Sequence, residues 1–189
     1  MARPVQKRLD NWSPVAAGEG VFSAEDCARI IALGGPLKEG QVFDTGGHRR
    51  YRDSRVTWIR PGPETEWVFQ RTFDFVKQVN AQTYEMDLAG FTEPLQVAEY
   101  AEGQYYDWHL DLGGGRISIR KLSFIVQLTD PAAYEGGEVE VLYAREPEAM
   151  IKAQGAVIAF PTYILHRVKA VTSGTRHSLV GWIGGPHFR

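Results

Sequence analysis

The sequence predicts a mainly β fold of sandwich, barrel or jelly-roll type, buttressed by helices near its N-terminus. Two patterns carry that reading. From Leu95 onward, short alternating or apolar runs at 95–100, 105–111, 119–129, 137–143, 155–160, 164–171 and 176–183 are punctuated by turn residues every 8 to 12 positions. Before Leu95 the periodicity is helical instead, in two capped segments. Such a succession argues against a parallel α/β sheet, in which strands and helices would alternate throughout.

The first helix is expected to start at Ser23-Ala24-Glu25-Asp26, where a serine cap precedes acids in the first turn. Cys27, Ile30, Ile31 and Leu33 form its apolar face and Gly34-Gly35-Pro36 its stop. The second opens near Pro63-Glu64 and carries Val68, Phe75, Val76 and Val79 at helical spacing to about Thr83. Between them Ser54 to Ile59 reads as a strand, approached through Gly46-Gly47-His48-Arg49-Arg50. In the second half, Ala101-Glu102-Gly103, Gly113-Gly114-Gly115, Asp130-Pro131, Gly136-Gly137, Pro161-Thr162 and Ser173-Gly174 supply the turns. We expect one domain over 1–189, with N-terminal helical support over about 1–94 and the catalytic motifs over about 95–183.

Bulk properties narrow the function classes. The 189 residues are 43% hydrophobic and 12% aromatic, enough for a buried core. Twenty-one basic against twenty-three acidic residues leave a formal charge of -2, which gives no broad attraction for nucleic acid or anionic membrane. The single cysteine, Cys27, forms no internal disulfide and fits a reducing compartment. No apolar h-region follows the basic Met1 to Arg8 segment, and no window of about eighteen apolar residues occurs. A cytoplasmic location is the expectation. The oligomeric state is left open.

The chemistry concentrates in Tyr106-Asp107-Trp108-His109-Leu110-Asp111 and in His166. Residues two apart on a strand share a face, so His109 and Asp111 converge on one point. Alone, a His-x-Asp pair is a common surface coincidence. His166 adds weight because it interrupts an otherwise apolar strand, and two imidazoles with one carboxylate make the facial set of a non-haem Fe(II) site with open positions. Arg176, ten residues on, suggests an organic acid beside the metal, since guanidinium pairs bidentately with carboxylate. A hairpin at Ser173-Gly174 would set 166 opposite 180 and 176 opposite 170, placing Arg176 on the face of His166 about 13 Å along the strand at ~3.3 Å per residue. Ser178 would share that face. Tyr100 is placed at the pocket, and Ser123 and Gln127, on one face of the 119–129 strand, need either a ligand or solvent. His177 and His187 read as surface or tail residues.

These motifs resemble those of the 2-oxoglutarate- and Fe(II)-dependent oxygenases, in their prolyl 4-hydroxylase-like branch. The resemblance covers about Leu95 to Trp182. It rests on Val97-Ala98-Glu99-Tyr100 with Gly103 and Tyr106, on Tyr134-Glu135-Gly136-Gly137-Glu138-Val139, on Gly155 to Pro161, and on Leu165-His166-Arg167-Val168 followed by Val171 to Arg176. A double-stranded β-helix is implied, with His109, Asp111 and His166 holding Fe(2+) and Arg176 binding the distal carboxylate of 2-oxoglutarate. Tyr100, Gln127 and Ser178 are implied to assist. Many members carry lysine at the Arg176 position and tyrosine at that of Gln127.

The resemblance further implies O2 as oxidant, ascorbate as a stimulant, and hydroxylation of an unactivated C–H bond. Related halogenases lack the carboxylate supplied here by Asp111. The implied substrate is a prolyl residue in a peptide or protein, with a free amino acid as runner-up. His48, Arg49, Arg55, Trp58 and Arg116 are candidate substrate contacts, chosen as polar or aromatic residues in segments expected at the mouth, and Gly113 to Gly115 is a candidate lid. Two rival readings are a non-catalytic jelly-roll module for a small anion or sugar, and a nucleic-acid demethylase, the latter disfavoured by the near-neutral charge.

Overall fold

The computed structural model describes residues 13–40, 42–43 and 50–188. Chain order runs β1 (Ala16–Gly18), α1 (Ala24–Leu33), β2 (Lys38–Glu39), β3 (Val42–Phe43), β4 (Arg50–Asp53), β5 (Arg55–Ile59) and α2 (Glu66–Val79). It continues through β6 (Gly90–Phe91), β7 (Leu95–Tyr100), β8 (Tyr105–His109), β9 (Arg120–Gln127), β10 (Tyr134–Gly136) and β11 (Val139–Leu142). Last come β12 (Glu148–Ala149), β13 (Val157–Pro161), β14 (Leu165–Val168), β15 (Val171–Gly174) and β16 (Arg176–Gly184).

The larger sheet has the order β1-β13-β9-β16-β7-β5-β2, with β6 added beside β16. The smaller one runs β12-β11-β14-β8-β4-β3, and β10 pairs with β15 apart from both. Every pairing between these strands is antiparallel. In the catalytic half β7, β9, β13 and β16 lie in the larger sheet and β8, β11 and β14 in the smaller, so these strands alternate between two sheets as in a double-stranded β-helix, with β10, β12 and β15 outside the alternation.

Strand parity divides the core in two. On β9, Leu122, Phe124 and Val126 pack with Cys27 and Ile30 of α1 and Val68, Phe69 and Val76 of α2. Ile125 faces the other way, toward Val139 and Val141 of β11, Phe160 of β13 and Val168 of β14. Both faces of the larger sheet are therefore covered, and all eight residues of β9 are buried. Each large apolar side chain so buried contributes about 1.5–3 kcal/mol.

The helices form where their signals stand. Ser23 accepts from the Asp26 N–H at 3.1 Å and its own N–H donates to Asp26 Oδ2 at 3.0 Å, a reciprocal cap. Arg71 of α2 pairs with the same carboxylate and ties the helices together. α2 begins at Glu66, later than expected, and after Val79 widens into a π-helical turn, Asn80–Tyr84. Gly155 sets the approach of the N-terminal segment: its carbonyl accepts from the Phe22 N–H at 3.1 Å, its φ is +77°, and a Cβ would lie 1.8 Å from the Phe22 carbonyl oxygen.

The first 94 residues are more than helical support. β5 pairs with β7, β4 with β8 and β1 with β13, so this segment extends both sheets. No described helix is long and apolar enough to cross a membrane.

Candidate metal centre and its cavity

β8 and β14 are neighbours, and their register sets His109 directly opposite His166. The strand expected over 105–111 ends at His109, so parity is not what aims Asp111. Thr162 does: its carbonyl accepts the N–H groups of both Asp111 and Leu112 at 3.1 Å, turning the carboxylate inward. Donor atoms of His109, Asp111 and His166 lie within 4.8 Å of one another. His166 Nε2 is 3.5 Å from Asp111 Oδ2, and His109 Nε2 is 4.0 Å from Oδ1.

The tautomers follow from hydrogen bonding. His109 Nδ1 is 2.7 Å from the Asp107 carbonyl oxygen, and His166 Nδ1 is 2.9 Å from that of Ile164. A carbonyl only accepts, so both Nδ1 atoms carry the proton and both Nε2 lone pairs face Asp111. The His109 ring is stacked on Tyr106, centroids 3.5 Å apart, and His166 sits edge-on to Phe160.

Charge states suit a cation. Burial, then the adjacent His166, push His109 down to about 3, leaving a neutral imidazole near pH 7. Burial raises the Asp111 carboxyl, but His166, His109 and the Ser123 hydroxyl outweigh it and hold it below its ordinary value. That hydroxyl donates to Asp111 Oδ2 at 2.6 Å. The site thus offers two Nε2 atoms and one carboxylate, with the Nδ1 atoms held by main-chain carbonyls.

The triad opens into a cavity of about 250 Å³ between the sheets, lined also by Tyr100, Arg176 and Ser178. Arg176 does not arrive by the expected hairpin. β15 pairs with β10 instead of turning back on β14, and β16 lies in the larger sheet, where Arg176 opposes Tyr100 and Ser178 opposes Gln127. Arg176 and His166 face each other across the two sheets.

Arg176 is 1% exposed. Its Nη2 donates to Gln127 Oε1 at 2.8 Å and its Nη1 stands 3.5 Å from Ser178 Oγ, while Nε has no hydrogen-bond partner. None of the ion pairs among the described residues includes it. The nearby Tyr134 hydroxyl is likewise buried and unpartnered, and burial raises its pKa against the opposing effect of Arg176. Gly137, with φ +61°, leaves room here: a Cβ would stand 3.0 Å from Arg176 Cδ. A buried cation and two orphaned polar atoms in one place form a cradle for an anion.

The candidate substrate residues divide. Trp58 lines the cavity and is 43% exposed. Arg55 pairs with Glu99, which also meets His177, on the helix-bearing face of the larger sheet and away from the cavity. Arg116 is exposed in a short 3-10 turn, Gly115–Ile119, whose Ile117 lines the cavity. His48 and Arg49 lie outside the described residues, as do Gly46 and Gly47. Among the polar and aromatic lining residues, Arg52, Gln96, Arg120 and Trp182 escaped sequence reasoning. Arg120 offered a faint signal, a cation opening the buried run of β9.

Residues 95–184 match the model of the 2OG-Fe(II) oxygenase superfamily. A PKHD-type hydroxylase of Idiomarina loihiensis is 35% identical over 169 residues, 86% of this chain and 75% of that protein. One from Prochlorococcus marinus is 36% identical over 110 residues, 56% of this chain. The matches to that protein and to its Hyphomonas neptunium counterpart span 50% and 43% of their lengths, about half of those relatives. Among solved structures, a Pseudomonas putida prolyl-4-hydroxylase aligns with TM-score 0.70 at 20% identity, covering 92% of this chain and 93% of that one. A viral collagen prolyl hydroxylase from Paramecium Bursaria Chlorella virus-1, solved with 2OG, aligns with TM-score 0.69 at 22% identity over 92% and 97%. At those identities the likeness concerns the fold.

Proposed function

Because the chain belongs to the 2OG-Fe(II) oxygenase superfamily, we propose that it is a 2-oxoglutarate-dependent hydroxylase acting on an unactivated C–H bond, with a prolyl residue of a peptide or protein as the leading substrate class. The observation that carries this reading is one cavity holding a His-Asp-His triad and a buried arginine that no carboxylate of the described residues neutralises. The relatives' name, PKHD-type hydroxylase, supports the reaction type.

In this reading His109, Asp111 and His166 hold Fe(2+). The residues fit it: both Nε2 lone pairs and an ionised carboxylate face one point. When bound, iron, O2 and 2-oxoglutarate supply the oxidation, in which the keto acid becomes succinate and CO2, one oxygen atom of O2 enters succinate, and the other becomes the new hydroxyl. Arg176 binds the distal carboxylate of 2-oxoglutarate, with Ser178 and the Tyr134 hydroxyl beside it and Gln127 orienting the guanidinium. Tyr100, 3% exposed, closes the inner end against water. Ser123 fixes the Asp111 carboxylate. Ascorbate is a stimulant in this scheme. Residues 1–189 act as one domain, with a peptide, protein or amino-acid substrate and without a nucleic-acid partner.

The test is anaerobic addition of Fe(II) and 2-oxoglutarate, which gives a weak visible absorption band. Under air, succinate should form together with a +16 mass shift in a panel of peptides and amino acids. His109→Ala and Asp111→Ala should each abolish band and succinate. A chain that gives neither signal in its unmutated form is a small-ligand-binding jelly roll instead.

A further inference from the structure

Among the described residues three guanidinium groups line the cavity, and their partners separate them. Arg120 is neutralised by Glu93, holds the Asp111 carbonyl at 3.1 Å, and lies 3.8 Å over the Trp182 ring. Arg176 is assigned above to the cosubstrate. Arg52 is left. It is 8% exposed, and its donors meet only neutral oxygens: Nε donates to Ser54 Oγ and Nη2 to Gln96 Oε1, each at 2.8 Å. Among the described residues no carboxylate pairs with it.

Two neutral acceptors and a ring face ease the desolvation of this cation but do not cancel it, since removing a full charge from water costs several kcal/mol. A fixed, buried, unneutralised arginine in a cavity wall fits a carboxylate that arrives with a ligand. Its location separates that ligand from 2-oxoglutarate. Arg52 lies 4.8 Å over the Tyr106 ring, whose other neighbour in the stack is His109, so it stands beside the metal face. Its partner Gln96 opposes Val180 on β16, whereas Arg176 opposes Tyr100. These rows are four residues apart, about 13 Å along the strand at ~3.3 Å per residue. A diacid that chelates the metal through one end has one remaining carboxylate, and it serves one of the two arginines.

We propose that Arg52 anchors the carboxylate of the substrate that is hydroxylated, so that this substrate is a free amino acid or the carboxyl-terminal residue of a peptide, not an internal residue. The cavity of about 250 Å³ agrees with a small reacting group, being below the ~300–1,000 Å³ of sites that engulf drug-sized ligands. Trp58, 43% exposed on the cavity wall, leaves an opening through which the rest of a peptide would extend. This inference rests on the hydroxylase reading and narrows it.

The experiment uses the 189-residue chain loaded with Mn(II) and 2-oxoglutarate under anaerobic conditions, after metal-dependent 2-oxoglutarate binding has been measured on its own. Loss of that first signal would strike the oxygenase reading and not this one. Calorimetric titrations then compare the twenty L-amino acids, their N-acetyl derivatives and their carboxamides. At least one acid is expected to bind tenfold or more tighter than its carboxamide, about 1.4 kcal/mol. Arg52→Gln should erase that difference and Arg52→Lys should retain part of it. Tighter binding of the free acid identifies an amino-acid substrate, and tighter binding of the N-acetyl acid a peptide carboxyl terminus; either supports the anchor. Should Arg52→Gln fail to fold, the acid-against-carboxamide comparison on the unmutated protein still decides. Equal binding of acids and carboxamides, binding by no acid, or an Arg52→Gln variant that loses 2-oxoglutarate but keeps the acid preference would each overturn the proposal.

Discussion

Replacing Arg176 with methionine should separate the needs of the fold from those of the ligand. The guanidinium is 1% exposed, donates to Gln127 Oε1 at 2.8 Å and meets no carboxylate among the described residues. An uncompensated buried ion costs several kcal/mol after relaxation. Removing it orphans the Gln127 acceptor, at about 1–3 kcal/mol, while a side chain of similar length keeps the space filled. The first magnitude is the larger, so Arg176→Met should match or exceed the unmutated protein in stability when 2-oxoglutarate is absent. Affinity moves the other way. Truncating one side of a buried, hydrogen-bonded charge pair costs about 2–5 kcal/mol, which at 1.4 kcal/mol per tenfold is a rise of roughly 30-fold to several thousandfold in the 2-oxoglutarate dissociation constant. Urea denaturation without ligand reads the first quantity, and anaerobic titration of the Fe(II)-loaded protein reads the second. A dissociation constant within threefold of the unmutated value would refute the cradle, as would a variant destabilised by more than about 3 kcal/mol.

Gly137→Ala should reach the same guanidinium from below: at φ +61° an alanine costs about 1–2 kcal/mol, and its Cβ would stand 3.0 Å from both Arg176 Cδ and Val171 Cγ2. Weaker 2-oxoglutarate binding with metal affinity retained is the expected result, and unchanged 2-oxoglutarate binding would contradict it. Cys27 gives a pH dependence. Burial, helped by the Asp26 carboxylate, raises its thiol from 9.0 to about 11, so the fold favours the protonated form. The contribution is complete below pH 9 and is lost as pH rises toward 11, up to about 3 kcal/mol from the two-unit shift. Iodoacetamide at pH 8.5 should alkylate Cys27 only after denaturation, and labelling of native protein at the denatured rate would contradict its burial.

What the sequence made legible depended on the reach of each signal. Alternation and turns located β7, β9 and β16 closely because strands covered by packed layers must be apolar where they are covered. The triad was legible because His166 breaks such a run. Arg52 and Gln96 were not, since a two-residue period states which residues share a face without stating whether that face meets solvent or a cavity. Arg55 shows the same limit in reverse: it was expected at the mouth as a polar residue in a segment placed there, yet odd parity turns it toward Glu99 on the helix side. The hairpin at Ser173-Gly174 failed for a topological reason. A turn signal marks where the chain changes direction, and here β15 leaves its neighbours to pair with β10 before β16 enters the other sheet.

The pairing of metal centre and anion cradle follows from one strand. On β9 the even residues Leu122, Phe124 and Val126 lie under the helices, while the odd residues Ser123, Ile125 and Gln127 face the smaller sheet. Those odd positions divide the work: Ser123 donates to the Asp111 carboxylate, Ile125 lines the cavity between, and Gln127 holds the Arg176 guanidinium. Ser123 and Gln127 are four residues apart, about 13 Å at ~3.3 Å per residue, so a rigid, doubly covered strand fixes the spacing of the two polar ends of the site. A register slip of one residue would turn both toward the helices and deprive the carboxylate and the guanidinium of their partners together. The helices over β9 therefore serve the site as well as the fold, because their packing against its even face is what keeps the odd face aimed at the His-Asp-His triad and at Arg176.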